Sequence, residues 1–221
     1  MIELHLGDFR RAAIEPGSVD VVATDPPYSE EALDLWDALG ELAARVLRPG
    51  GWLVAYAGQA FLDLKMAALS RHLTYHWVIA VAHHGSHGIV KGFFSSWKPV
   101  LVYAKPPVGW ADMDPLSDLL RGGGPDKRYH RWGQPASEMV PVLRALGSSS
   151  PRPRGLVLDP MAGGGGILAA AAEAGLDAIG YEVDPEAYRT LLRRFGARPI
   201  EGEPPRARAD PSMAATLDQF K

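Results

Sequence analysis

Asp25-Pro26-Pro27-Tyr28 follows the apolar run Val19–Thr24, and that placement turns a tetrapeptide into candidate chemistry. The run is short, β-branched and bounded by Gly17-Ser18 and Pro26-Pro27, which predicts a buried strand. Asp25 then falls at the strand's carboxyl end, where open parallel sheets place ligand sites. A residue before proline is pushed into extended backbone, so Asp25 cannot open a helix. Two successive prolines carry no N–H, leaving a corner of acceptors only: the Asp25 carboxylate and the carbonyls of Asp25 and Pro26. Such a corner suits a ligand that arrives as an N–H donor, with the Tyr28 ring available to stack on something flat. The exocyclic amine of a nucleobase has both properties. Asp and Pro also make ordinary strand-ending turns, so support must come from elsewhere in the chain.

That support lies in the second half. Leu156-Val157-Leu158 reads as a strand ending in Asp159-Pro160-Met161-Ala162-Gly163-Gly164-Gly165-Gly166, and an Ala-rich helical pattern, 167–174, follows. Strand, glycine turn and helix start let a backbone approach a cofactor closely. A further strand, 178–181, ends in Glu182, about 20 residues beyond the turn, where a nucleotide-binding βαβ unit keeps its ribose-binding carboxylate. A flexible glycine loop is the plainer reading of the run alone. No Gly-Lys-Ser/Thr follows, so the turn is not built for a triphosphate and magnesium.

With D-P-P-Y first and an F-x-G-x-G-like turn later, residues 1–200 resemble the S-adenosylmethionine-dependent amino-methyltransferases of DNA, in the permuted order that puts the catalytic half before the cofactor half. Leu6-Gly7-Asp8 is similar to the family's G-D segment, whose carboxylate lies near the cofactor's adenine. Segments 47–54, 98–105 and 182–186 resemble its P-G-G passage, its final strand and its E-x-D-P-E. The resemblance implies a Rossmann-like α/β fold, with catalytic residues Asp25, Pro26, Pro27 and Tyr28. It also implies S-adenosyl-L-methionine held by Asp8, Asp159, Pro160, Met161, Ala162, Gly163, Gly165, Glu182 and Val183. The chain departs from the pattern at Met161, which replaces a Phe, and at Gly164 and Gly166, which replace Ser and Thr. In the family's H-P-T-x-K-P segment, Trp132 and Gln134 stand for Thr and Lys, and Gln134 joins the expected cofactor set at the methionine end.

The elements that must position these residues follow from periodicity. Strand-like runs fall at 2–6, 19–24, 52–56, 77–81, 99–104, 156–158 and 178–181, and helical patterns at 30–47, 61–70, 138–146, 167–174 and 185–195. Their alternation predicts a mostly parallel sheet with helices on both faces. Seven strands match the methyltransferase sheet that the resemblance implies, in which the last two strands form an antiparallel pair at the edge. The expected division is one methyltransferase domain, 1–200. It comprises a catalytic half (1–110), a mobile recognition or lid segment (111–135) and a cofactor half (136–200), followed by a flexible tail (201–221). Over 221 residues, 47% are hydrophobic and 22% charged, ordinary for a globular protein. No run approaches 18 apolar residues and the first residues carry no secretory pattern, so a cytoplasmic enzyme without a membrane anchor is expected. There is no cysteine, which excludes disulfides and thiolate metal sites. It also excludes methylation at carbon 5 of cytosine, which needs a thiolate nucleophile.

Two segments remain for reading a substrate. The first, 83–97, carries three histidines, Lys91, Phe93, Phe94 and Trp97 and no acid; the second, 121–131, carries Arg121, Lys127, Arg128 and Arg131 against Asp126. Basic loops with aromatics, on a chain of net charge −3, suit a phosphate backbone, though solvated loops would look the same. Phe94, Trp97, Lys91, Arg128 and Arg131 are the expected substrate contacts, and DNA the expected partner. No carboxylate accompanies His83, His84 and His87 at ligand spacing, and no metal is expected. In the expected reaction a base leaves the stack and is held by Tyr28, with Phe94 or Trp97 on its other side, while Asp25 and the Pro26 carbonyl accept from its amine. The Asp of the first motif position favours adenine over the 4-amino group of cytosine, by resemblance. Short recognition segments point to loose specificity, a homodimer or a separate recognition subunit. A non-catalytic module that kept the cofactor fold, and methylation of RNA or a glutamine amide, are the other readings.

Overall fold

The computed structural model describes residues 1–83, 88–109, 113–123, 135–148, 150 and 154–197. Period-two alternation sets its layering. In β2 (Val19–Thr24) every residue is buried; Val21 and Ala23 enter one core and Val22 the other. In β3 (Leu47–Tyr56), Trp52, Val54 and Tyr56 face the first core while Leu53 and Ala55 face the second. A strand read on both faces in this way must be central, with helices on either side.

The first core is closed by α3 (Ala136–Gly147), α4 (Gly166–Glu173) and α5 (Pro185–Phe195), the second by α1 (Leu33–Val46) and α2 (Leu62–Ser70). α5 shows why these helices form where they do. Asp184 caps it by accepting from the Glu186 N–H at 3.0 Å, Pro185 takes the first turn, and Gly196 ends it at φ +61°.

Among the described residues the sheet has eight strands rather than seven. Besides β2 and β3 these are β1 (Ile2–Leu6), β4 (Thr74–Ala82), β7 (Trp97–Ala104), β8 (Leu119–Arg121), β9 (Leu156–Asp159) and β10 (Asp177–Glu182), in the order β1-β10-β9-β2-β3-β7-β4-β8. β7 runs antiparallel to both neighbours and the other pairings are parallel. The expected antiparallel pair of last strands at the edge is not found: β9 and β10 run parallel, and the antiparallel strand is the interior β7, with β8 adding outside β4 and pairing Leu119 with Ala80. A separate hairpin joins β5 (Ile89–Val90) to β6 (Phe93–Phe94). β3 is longer than the expected 52–56, because Gly50 and Gly51 bond across to Lys105 and draw 47–51 into the sheet.

Asp20 is the charged residue inside the buried β2. Its Oδ1 accepts from Arg48 Nε at 2.6 Å and its Oδ2 from the Leu156 N–H at 2.8 Å, so one carboxylate ties β2 to both neighbours. Among the described residues no helix is long and apolar enough to cross a membrane, and no group of three acids or histidines could hold a metal. The expected tail, 201–221, lies outside the described residues.

Candidate active site at the carboxyl edge of the sheet

β2 delivers Asp25 and Tyr28 to the carboxyl edge, as the sequence predicts. Pro26 is buried and Asp25, Pro27 and Tyr28 are half-buried. The corner is pinned to α1, since the Trp36 indole N–H donates to the Pro27 carbonyl at 3.2 Å. It packs close to the end of β3 as well: a Cβ on Gly58 would lie 3.1 Å from the Tyr28 ring, so any larger residue there would have to push the ring aside.

The corner is less purely an acceptor surface than expected. The Tyr28 hydroxyl donates to Asp25 Oδ1. Burial raises the Tyr28 pKa well above its ordinary value, and the Asp25 charge adds to the effect, so the hydroxyl keeps its proton. Tyr28 therefore has two assets, a ring and a donor that orients Asp25. Only the ring was legible in the sequence.

Two further polar groups sit behind this corner, and the sequence does not announce them. Lys65 is fully buried; its Nζ donates to the Ala60 carbonyl at 2.9 Å and lies 5.2 Å from the Tyr28 ring centroid and 5.4 Å from that of Trp36. Burial lowers its pKa to about 8. On the opposite face of the sheet, Glu138 of α3 is 3% exposed and gathers three partners among the described residues. Its Oε2 accepts from the Tyr56 hydroxyl at 3.0 Å and pairs with Lys98 at 2.8 Å, and its Oε1 accepts from the Gly123 N–H at 3.2 Å. These residues come from β3, β7, the β8 turn and α3, too far apart in sequence for spacing to reveal.

The glycine turn follows β9, the neighbour of β2. Asp159 is 2% exposed, and its Oδ1 accepts from the Met161 N–H at 3.2 Å. Burial lifts its pKa to about 7, against the pull of the Thr24 hydroxyl and the Met161 N–H, and with Asp25 and Glu182 adding to the rise. Although that hydroxyl lies close, it has no hydrogen bond of ordinary geometry. Gly163 and Gly165 adopt φ +49° and +76°, a region that side chains disfavour. Gly165 has a second reason to be glycine, because a Cβ would come within 2.7 Å of Leu191 and Phe195. At Gly163 the same position opens onto empty space.

Glu182 closes β10. Its Oε2 accepts from the Gly163 N–H at 2.7 Å and its Oε1 from the Asp184 N–H at 2.8 Å, so it shapes the turn from beneath. Burial raises its pKa, with those two N–H groups opposing. Pro160 and Ala162 are buried, Met161 packs against the second core, and Val183 is about half exposed. Asp8 joins the same edge, since β1 and β10 run in register and the Gly7 N–H reaches the Glu182 carbonyl at 2.8 Å. Arg10 is its unforeseen partner. Against the opposing effect of burial, hydrogen bonds from Arg10 hold the Asp8 carboxyl below the usual range.

The expected substrate residues divide. Lys91 and Phe94 stand on the exposed β5–β6 hairpin, and Trp97 opens β7, its carbonyl accepting from the Gln59 amide. Arg128, Arg131 and Gln134 lie outside the described residues. Two surface cavities, of about 260 Å³ beside Arg144 and Arg154 and about 440 Å³ beside His76 and Met113, lie away from Asp25.

No protein-family model matches the chain. It is 27% identical to "Putative methylase YubD" of Escherichia coli (strain K12) over 206 residues, covering 85% of this chain and 87% of that protein. Among solved structures, the complex of M1.HpyAVI with SAM superposes with a TM-score of 0.69 at 20% identity, over 88% of this chain and 100% of that one. PvuII DNA methyltransferase, described as cytosine-N4-specific, gives 0.71 at 16% identity, over 90% and 88%. The described chain therefore has the α/β fold of these DNA methyltransferases, a mostly parallel sheet with helices on both faces.

Proposed function

We propose that the protein transfers a methyl group from S-adenosyl-L-methionine to an exocyclic amine of a base in DNA, the 6-amino group of adenine being the favoured target. The observation that carries this reading is the adjacency of two corners on neighbouring strands. Asp25 and Tyr28 end β2, and the Gly163–Gly165 bend with Asp159 ends β9.

The residues present fit the cofactor. Asp159 and Glu182 are buried carboxylates with raised pKa values, and a ligand bearing sulfonium and ammonium charges would favour their ionised forms. The open space at Gly163 lets a ligand lie against the backbone. Asp8, Glu182 and Val183 would take the nucleoside end. When bound, the cofactor supplies an electrophilic methyl group.

The chain's own task is alignment and charge. Tyr28 offers a ring on which an extruded base can stack. Asp25 and the Pro26 carbonyl accept hydrogen bonds from the two amine N–H groups, which localises the nitrogen lone pair and stabilises the positive charge growing there. Tyr28 holds the Asp25 carboxylate in place from its other side. The surplus proton of the methylated amine leaves to the Asp25 carboxylate and then to water. Adenine over cytosine rests on Asp at the first motif position.

The test is incubation of the purified protein with methyl-labelled S-adenosyl-L-methionine and double-stranded DNA, single-stranded DNA or RNA, followed by nucleoside analysis. Label in N6-methyladenine from DNA supports the full reading, and N4-methylcytosine would correct the base. Label in RNA alone would move the substrate class, and none in any arm would leave a binding module.

A further inference from the structure

The β5–β6 hairpin is a short, apolar projection whose residues join neither core. Lys91 and Gly92 form its two-residue turn at φ +47° and +85°, the pattern of a tight type I′ connection. Ile89 faces Phe94 and Val90 faces Phe93 across it, and the Ser95 N–H closes the base on the Gly88 carbonyl at 2.9 Å. Its apolar side chains point into solvent: Ile89 is 67% exposed, Phe93 78% and Phe94 74%. Three large apolar groups exposed on one turn mark a contact surface rather than a folding need.

Its footing connects it to the catalytic corner. Lys91 Nζ lies 4.4 Å from the Phe61 ring centroid, Ser95 Oγ donates to Gln59 Oε1 at 3.4 Å, and the Gln59 amide reaches back to the Trp97 carbonyl. Residues 59–61 directly follow Gly58, on which the Tyr28 ring rests. One loop thus carries the Tyr28 platform on one side and the hairpin on the other. Charge points to the occupant: the sequence from His83 to Lys98 contains no acid, and Lys91 at the tip and Arg121 at the end of β8 are exposed cations.

Resting on the proposed base methylation, we infer that Phe93 and Phe94 form a wedge that enters the duplex beside the target and fills the stack the extruded base leaves. Apolar side chains inserted between base steps offset the lost stacking. A hairpin arm of about three residues at about 3.3 Å each reaches about 10 Å, enough for a groove about 8 Å deep. Phe94 then acts on the duplex, whereas Tyr28 acts on the base. The neighbouring Lys91 and Arg121 hold the phosphates alongside.

The test uses the full chain and a short duplex containing the position that the wild-type protein methylates, with 2-aminopurine in place of the target base. Wild type is expected to raise the fluorescence several-fold on binding. Phe93→Ala/Phe94→Ala should bind cofactor and melt as wild type does, hold the duplex within about tenfold of wild-type affinity, and give little rise. Phe93→Trp/Phe94→Trp should restore the signal. An undiminished rise in the alanine variant overturns the wedge. So does loss of all duplex binding, which would make the pair a docking surface only, and so does a dimer that becomes a monomer, which would make the occupant a second copy. Absence of methylation by wild type on every nucleic acid would instead overturn the proposed reaction, before the variants are compared.

Discussion

Asp25 and Asp159 end adjacent parallel strands, and the charge of the first adds to the burial that lifts the second to about 7. Two carboxylates from opposite halves of the chain therefore share one edge. Such a pair suits a site in which one ligand is a cation and the other becomes cationic during reaction.

Tyr28 has separable roles. Tyr28→Phe keeps the ring and removes the hydroxyl that holds Asp25, so kcat should fall less than about tenfold with cofactor affinity unchanged. Tyr28→Ala removes the stacking face and should cost about 1–3 kcal/mol in kcat/KM. Steady-state kinetics on the two variants checks the order, and equal losses would contradict it.

Asp159 makes apoprotein stability depend on pH. Its folded pKa lies above the unfolded value, so its contribution is fully present below about pH 4 and is lost as pH rises through about 7. The span is on the order of 4 kcal/mol. Asp159→Asn should flatten that part of the stability profile and melt higher than wild type at pH 8. Denaturant titrations from pH 4 to 8 measure the difference.

Lys65 gives the opposite slope in another window. Its folded pKa is depressed by burial to about 8, so the unfolded chain binds the extra proton between about 8 and 10.5, and stability rises with pH there. Lys65→Met should remove that rise and, at pH 7, stabilise the protein by up to about 3 kcal/mol, less the lost bond to Ala60 and the contacts with Tyr28 and Trp36. Paired denaturant curves at pH 7 and 10 would show it.

Glu138 neutralises a buried lysine. Glu138→Ala leaves Lys98 without its carboxylate and the Tyr56 hydroxyl without its acceptor, a loss of about 3–5 kcal/mol in unfolding free energy. Glu138→Ala/Lys98→Met should recover much of that loss in the same measurement, since it removes the stranded charge.

The large features were legible because each has a local cause. Each of the seven strand-like runs overlaps an observed strand, and Asp25, Asp159 and Glu182 were singled out by counting from strand ends to prolines and glycines. β5, β6 and β8 have two or three residues each, too few for any period to show. The partners of the site stayed hidden for a different reason. Tyr56 meets Glu138 across 82 residues of chain, and Asp20 meets Arg48 across 28, through contacts that only the sheet order creates. Lys65 reads as a solvated helix residue until α2 is laid against Trp36 and Tyr28. The hydroxyl of Tyr28 was in plain view, but its role depends on a turn that brings it back to Asp25.

The central claim is that the β2 corner performs the transfer and the β9–β10 edge holds the cofactor. Asp25→Ala and Glu182→Ala, each followed by cofactor titration and by methyl transfer to DNA under single turnover, test it most directly. Asp25→Ala should bind S-adenosyl-L-methionine as wild type does and lose transfer by about 10²-fold or more, while Glu182→Ala should weaken the cofactor by about tenfold or more. Transfer near the wild-type rate by Asp25→Ala, with cofactor saturating, would contradict the account.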